Sequence, residues 1–301
     1  MFEQLDKIAK YKKERNAVIL AHNYQADLIQ DIADYVGDSF GLSQKAAQLE
    51  NDLIVFCGVN FMAESAKILS PDKIVLNPEI NADCPMARMA GVEKLRELKA
   101  KHPQAAVVTY VNSTAAVKAE SDVCCTSSNA VKIVESLPQK KIIFLPDKNL
   151  ADYVNKRTNK EIIYWEGFCP THHSVTLEDL KKSRELFPNT EILAHPECRA
   201  EVLAEADYIG STAGILNYAR ESSAQSFIIG TEMGLLHRLK KENPAKEFHL
   251  LSSQLICRDM KKTSLEKVAR ALENMETKVE IDEKIRLKAA KALQAMLEIG
   301  G

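Results

Sequence analysis

Residues 105–112 read Ala-Ala-Val-Val-Thr-Tyr-Val-Asn, an apolar run that closes on the polar tripeptide Tyr110-Val111-Asn112. A short run rich in Val, bounded by polar residues, reads as a strand. Two other runs close the same way. Residues 17–21 lead into His22-Asn23-Tyr24, and residues 191–194 lead into His195-Pro196-Glu197. The first members of the three tripeptides are 88 and then 85 residues apart. Seventeen residues beyond each lies a hydroxyl group: Ser39 in Gly37-Asp38-Ser39, Ser127 in Thr126-Ser127-Ser128-Asn129, and Thr212 in Ser211-Thr212-Ala213-Gly214. A cysteine follows each anchor, Cys84 at 62 residues, Cys169 at 59 and Cys257 at 62. The chain therefore reads as three α/β units of about 85 residues, and a repeat of this length decides the fold before any single motif does.

Working outward, further strands are expected at 53–57, 73–76, 141–145, 161–165, 208–210, 226–230 and 248–251. Helical patterns lie between them, for example at 92–101, 129–136 and 177–186. Alternation of strands and helices is the mark of parallel α/β layers. The stretch 265–297 is expected to be helical and amphipathic, with Ile285, Ala289, Leu293 and Leu297 on one stripe. The expected architecture is three similar Rossmann-like, three-layer α/β domains in a pseudo-threefold triangle. Their bounds are 1–86 completed by 270–301, then 87–171, then 172–269.

Composition narrows the classes. The 301 residues are 46% hydrophobic and 27% charged, which is globular and not disordered. A net charge of −2 gives no basic excess for a nucleic-acid partner. No apolar run approaches the roughly 18 residues of a membrane span. The first residues, Met1-Phe2-Glu3-Gln4, have no signal-peptide character, so a cytoplasmic location is expected. The 11 glycines form no G-x-G-x-x-G and no G-x-x-x-x-G-K-[ST], so the common dinucleotide and P-loop fingerprints are absent. The seven cysteines contain no C-x-x-C, which argues against a disulfide scaffold, a zinc ribbon or a thioredoxin motif. Buried thiols, a nucleophile and a metal site assembled from distant segments remain.

In open α/β units ligands bind outside the carboxyl ends of the strands. Three units aimed at one centre would bring Cys84, Cys169 and Cys257 together there. Three thiolates without a fourth protein ligand suit a [4Fe–4S] cluster with one open iron, a Lewis acid toward a hydroxyl or carbonyl oxygen. Three ordinary buried thiols and a Cys₃ zinc site are the alternatives on residues alone. The hydroxyl-rich helix starts would hold carboxylate or phosphate, or serve only as caps. His22, Tyr24, Tyr110, Asn112, His195 and Glu197 stand at strand ends, where His and Tyr can move protons near neutral pH and a desolvated Glu197 can act as a base. One of His172 and His173 should lie near Cys169. Cys57, Cys124, Cys125 and Cys198 fall outside the pattern and are expected to be buried thiols.

The ordered segments His22-Asn23-Tyr24-Gln25, Cys57-Gly58-Val59-Asn60-Phe61-Met62-Ala63-Glu64, Ala82-Asp83-Cys84-Pro85-Met86-Ala87, Tyr110-Val111-Asn112-Ser113, Pro146-Asp147-Lys148-Asn149-Leu150, Trp165-Glu166-Gly167-Phe168-Cys169, His195-Pro196-Glu197-Cys198 and Gly230-Thr231-Glu232 resemble those of quinolinate synthases. The resemblance runs nearly end to end. It implies a transferase of NAD biosynthesis that condenses iminoaspartate with dihydroxyacetone phosphate to quinolinate, losing phosphate and water. It implies a [4Fe–4S] cluster on Cys84, Cys169 and Cys257 with one iron open. It implies catalytic roles for Tyr24, Tyr110, Glu197 and His195. It assigns substrate binding to His22, Ser39, Asn112, Ser127, His172, Ser211 and Thr212. Functional coupling to an L-aspartate oxidase or an aspartate dehydrogenase also follows from it, with no nucleic-acid or membrane partner.

One departure is visible. Some members of that family carry a C-x-x-C at the last cysteine; here Cys257 is followed by Arg258-Asp259-Met260. His172 takes its role by register, with His173 adjacent. The rivals are other enzymes with three one-per-domain cluster cysteines, such as an isoprenoid diphosphate reductase or a diphthamide-forming enzyme, and a non-catalytic iron–sulfur sensor.

Overall fold

The strands are β1 (Ala17–His22), β2 (Tyr35–Gly37), β3 (Leu53–Cys57), β4 (Ile74–Leu76), β5 (Ala106–Tyr110), β6 (Val123–Cys125), β7 (Lys141–Leu145), β8 (Glu161–Tyr164), β9 (Glu191–Ala194), β10 (Tyr208–Ile209), β11 (Ser226–Gly230) and β12 (Glu247–Leu250). They form three four-stranded sheets of one topology: β2-β1-β3-β4, β6-β5-β7-β8 and β10-β9-β11-β12. All pairings within them are parallel. The structure, a computed structural model, describes residues 1–300; Gly301, the end of the expected 270–301 segment, lies outside the described residues.

The inner strands are apolar because helices cover both faces. Every residue of β1, β3 and β5 is buried, as expected for parallel sheets reached by helical crossovers. Burying one Val or Ile side chain contributes about 1.5–3 kcal/mol, so each central strand anchors its unit.

The repeat extends to individual hydrogen bonds. Asp34, Asp122 and Asp207 each precede a short edge strand. Their carboxylates accept the amide N–H of Ile19, Val107 and Ile192 at 2.8, 2.7 and 2.8 Å, always across fifteen residues. The same three residues donate their own N–H back to the carbonyls of Ile19, Val107 and Ile192. Each aspartate thus docks its edge strand on the central one.

Two features differ from the sequence expectation. Strands β2 and β6, three residues each, were absent from it. The stretch 265–297 is not one helix but two, Leu265–Asn274 and Glu283–Gly300. Met275 ends the first in the left-handed region at φ 57°. Beyond it, Thr277-Lys278-Val279 runs along β4: the Asn77 N–H donates to the Thr277 carbonyl and the Val279 N–H to the Val75 carbonyl. Asp282 then opens the second helix by accepting the Lys284 and Ile285 N–H groups. The first helix packs on the helix Phe2–Glu14 and on β3. The second lies against the helix Asn60–Leu69, next to β3, and against β6 and the helices Ala115–Lys118 and Ala130–Ser136 of the second sheet. No helix among the described residues is long and apolar enough to cross a membrane.

Candidate active site

Strands β1, β5 and β9 occupy the same place in their sheets, and their carboxyl ends open on one cavity enclosing about 690 Å³ of empty space, mouth included. His22, Tyr24, Tyr110, Asn112, His195 and Glu197 line it, as do Ser39, Ser127, Thr212, His172 and the three cysteines Cys84, Cys169 and Cys257. Of the residues singled out from sequence, only Ser211 does not. It sits one residue further back, where its hydroxyl caps the helix Thr212–Glu221 by accepting the Gly214 N–H.

The hydroxyl clusters follow one plan. Asp38 caps the helix Ser39–Gln48, which leaves Ser39 free at its first turn. Thr212 holds the matching position on its helix and accepts a hydrogen bond from Asn23 at 2.9 Å. Ser127 lies before the helix Ala130–Ser136 and meets His195 Nε2 at 3.1 Å.

The two strand-end histidines share a local turn. His22 Nδ1 accepts the Tyr24 N–H, and His195 Nδ1 accepts the Glu197 N–H, both two residues on. That assigns the ring proton to Nε2, so His195 donates to Ser127 and His22 presents a donor to the cavity. Both rings are neutral. Burial pushes His22 and His195 down to about 3, and each is further lowered by a neighbouring imidazole.

Glu197 is the centre of charge. Burial alone would raise its carboxyl, but His172 beside it, with the hydrogen bonds of His172 and Tyr110, outweighs that and holds it well below the usual range. His172 Nδ1 lies 2.7 Å from it, Tyr110 hydrogen-bonds to it, and Asn112 Nδ2 stands at 3.5 Å. Burial, then the Glu197 charge, push both Tyr24 and Tyr110 far up, so both keep their protons. The carbonyl oxygen of the Asn112 side chain is buried without a protein partner.

His172 and His173 separate clearly. His172 is buried, stacked on His195 at 4.8 Å between ring centres, and in contact with Cys169 and Thr231 at 3.2 and 2.9 Å. His173 turns away to Asn149 and Phe168.

The three cysteines line the same side of the cavity. Their chain neighbours form tight turns: Cys84 and Cys169 precede the one-turn helices Pro85–Arg88 and Pro170–His173, each with proline at its first position. Cys257 precedes the turn Met260–Lys262. Backbone amides of its own turn face each sulfur and oppose the rise of its thiol: those of Ala87 and Met86, of His172, and of Met260 and Asp259. Burial raises all three thiols; Cys257 further raises Cys84, and Cys84 further raises Cys169. A bound cation is what would favour their thiolates. They are half-buried, whereas Cys57, Cys124, Cys125 and Cys198 are fully buried; all seven are free thiols. The ligand atoms of Cys169, His172 and Glu197 also lie within 4.8 Å of one another, so this group can hold a metal.

Sequence reading missed Thr231, a buried residue whose hydroxyl meets Tyr24 Oη at 2.7 Å and His172 Nε2 at 2.9 Å. It also missed Asp147 and Glu232. The repeat held the signal for these two, since each stands 37 residues after its strand-end anchor.

A family model described as quinolinate synthetase A protein matches residues 6–298. A quinolinate synthase of Alkaliphilus metalliredigens is 56% identical over 296 residues, 98% of each chain. One from Methanosarcina barkeri is 55% identical over 99% of this chain and 98% of its own. One from Geobacter sp. is 55% identical over 95% and 94%.

Proposed function

The chain belongs to the quinolinate synthetase A family, and from that premise we propose that it is an enzyme condensing iminoaspartate with dihydroxyacetone phosphate to quinolinate in NAD biosynthesis. Phosphate and two waters leave; the atoms balance without an oxidant or reductant, which makes the reaction a transfer with dehydration. The observation that carries the reading is the convergence of strand ends and cysteines from three sheets on one cavity.

Cys84, Cys169 and Cys257 would hold a [4Fe–4S] cluster, which supplies Lewis acidity at an open iron when bound. The chain's own groups divide the remaining work. Ser39, Ser127 and Thr212, at or just before helix starts, receive the substrate's carboxylates and phosphate, aided by the neutral Nε2–H donors of His22 and His195. Ser211 supports that position by capping its helix. Asn112 offers its unpartnered oxygen to a substrate donor. Glu197, ionised and paired with His172, takes a proton from carbon or from a hydroxyl group. Tyr24 and Tyr110, held protonated, return protons to departing oxygens.

The units proposed with this reading are 1–86 plus 270–301, 87–171 and 172–269, set about a pseudo-threefold axis with one cluster ligand each. A cytoplasmic setting suits thiols that must stay reduced. Coupling to an L-aspartate oxidase or aspartate dehydrogenase fits a substrate imine that water hydrolyses.

Anaerobic purification with iron and sulfide analysis tests the reading. About four of each per chain are expected, with quinolinate formed from the two substrates without added reductant. Cys84→Ala, Cys169→Ala and Cys257→Ala should each lose the cluster absorption, and Cys57→Ala should retain it. An intact cluster in any of the first three would refute the ligand set.

A further inference from the structure

Thirty-seven residues past the anchors His22, Tyr110 and His195 stand Val59, Asp147 and Glu232. Asp147 and Glu232 each lie two residues beyond the end of a strand, β7 and β11, that neighbours the anchor strand. Both carboxylates are fully buried. Each divides its two oxygens in the same way. Asp147 Oδ1 accepts the Leu150 N–H at 2.7 Å, capping the helix Lys148–Asn155, and Oδ2 accepts the Cys169 N–H at 3.0 Å. Glu232 Oε2 accepts the Gly234 N–H at 2.7 Å, and Oε1 accepts the Cys257 N–H at 3.0 Å.

The first unit breaks the pattern. Val59 has no acceptor, and the Cys84 N–H turns to its own neighbour Asp83 at 2.8 Å. That bond lies within the cysteine's loop and does not tie it to the sheet. Other contacts reinforce the ties in the second and third units. Gly167 packs so tightly that a Cβ there would stand 2.5 Å from the Pro146 carbonyl oxygen, which brings the Cys169 loop against Asp147. Lys261 pairs with Glu232 at 2.9 Å and reaches the Tyr24 carbonyl at 2.5 Å, joining the Cys257 loop to the turn that carries Tyr24.

We propose that Asp147 and Glu232 are positioning residues for the cluster: each fixes a ligand cysteine, Cys169 or Cys257, by holding its backbone amide to the end of a sheet strand. The amide is the right handle, because it sets the cysteine's φ and hence the direction of Cβ and sulfur without competing for the sulfur itself. This rests on the reading that Cys84, Cys169 and Cys257 are the ligands.

The test uses the anaerobically purified enzyme with Asp147→Asn and Glu232→Gln. Each change keeps size and turns one acceptor oxygen into a donor group, which cannot serve both N–H groups at once. Cluster content, the electron paramagnetic resonance signal of the reduced cluster, its midpoint potential, and the rate of iron loss to a chelator are measured. Both variants should bind a cluster but release iron about tenfold faster, with a shifted potential and altered signal. Release rate, potential and signal all matching wild type would overturn the inference, as would a fall in the melting temperature of the cluster-free protein with those three unchanged. If one variant fails to fold, the other tests the equivalent position alone. A wild-type protein that holds no cluster refutes the ligand reading instead, so the two failures are distinguishable.

Discussion

At the scale of single residues, the cavity gains its chemistry from the partners given to its buried groups. Glu197 remains charged in a buried site because His172 stands beside it at 2.7 Å, while the two tyrosines near that charge hold their protons. A carboxylate ready to accept and phenols ready to donate form an acid–base set. Glu197→Gln and Tyr24→Phe, assayed with both substrates, should each lower kcat by about 10²–10⁴-fold with the cluster intact; full turnover in both would remove these roles. His22 makes a different prediction. Its ring takes a proton only near pH 3 when folded, against 6.5 when unfolded. Its contribution to stability is therefore complete above pH 6.5 and is lost as pH falls toward 3, by about 1.4 kcal/mol per pH unit. In the cluster-free protein, His22→Asn should flatten the fall of stability between pH 6 and 4, followed by denaturant unfolding. An equally steep curve would mean that His22 already titrates normally.

At the scale of elements, three aspartates at the sheet edge, each bonded to a buried strand amide, explain how strands of two or three residues persist. Asp122 ties β6 to β5 through the Val107 amide at 2.7 Å. Asp122→Ala leaves that N–H without its carboxylate and should cost about 1–3 kcal/mol in the cluster-free protein; a loss below ~0.5 kcal/mol would mean that water replaces it. The same element scale explains what the sequence concealed. Strands of two or three residues have no measurable period: β4 and β10 were expected at 73–76 and 208–210 and β2 and β6 were not, although the equal spacing of Asp34, Asp122 and Asp207 from the three anchors marks where β2, β6 and β10 begin. The break at 275–282 was concealed differently. Thr277, Val279 and Ile281 alternate with charged residues as a strand does, yet they sit between two strongly helical stretches that dominate any window laid across them.

At the scale of the whole molecule, three sheets meet where no one sheet has enough polar groups to form a site. Each supplies one proposed cluster ligand, so cluster binding should act on all three together. The melting temperature should rise on reconstitution in a single cooperative transition, because a ligand bound only by the folded form stabilises it by mass action. Calorimetry with and without the cluster checks this. A melting temperature indifferent to the cluster would argue that the thiols belong to one locally stable part of the fold.

The amino-acid sequence by itself determined the number of units, the place of ten of the twelve strands, and a set of candidate residues of which all but Ser211 line the cavity. It could do so because a repeat writes the same backbone geometry three times, and equal offsets survive where individual motifs are ambiguous. Tertiary structure alone decided that Thr231 joins Tyr24 to His172 and that Asn23 reaches Thr212. Those outcomes depend on contacts between units, and across gaps of 59 and 207 residues no local pattern specifies which side chains meet.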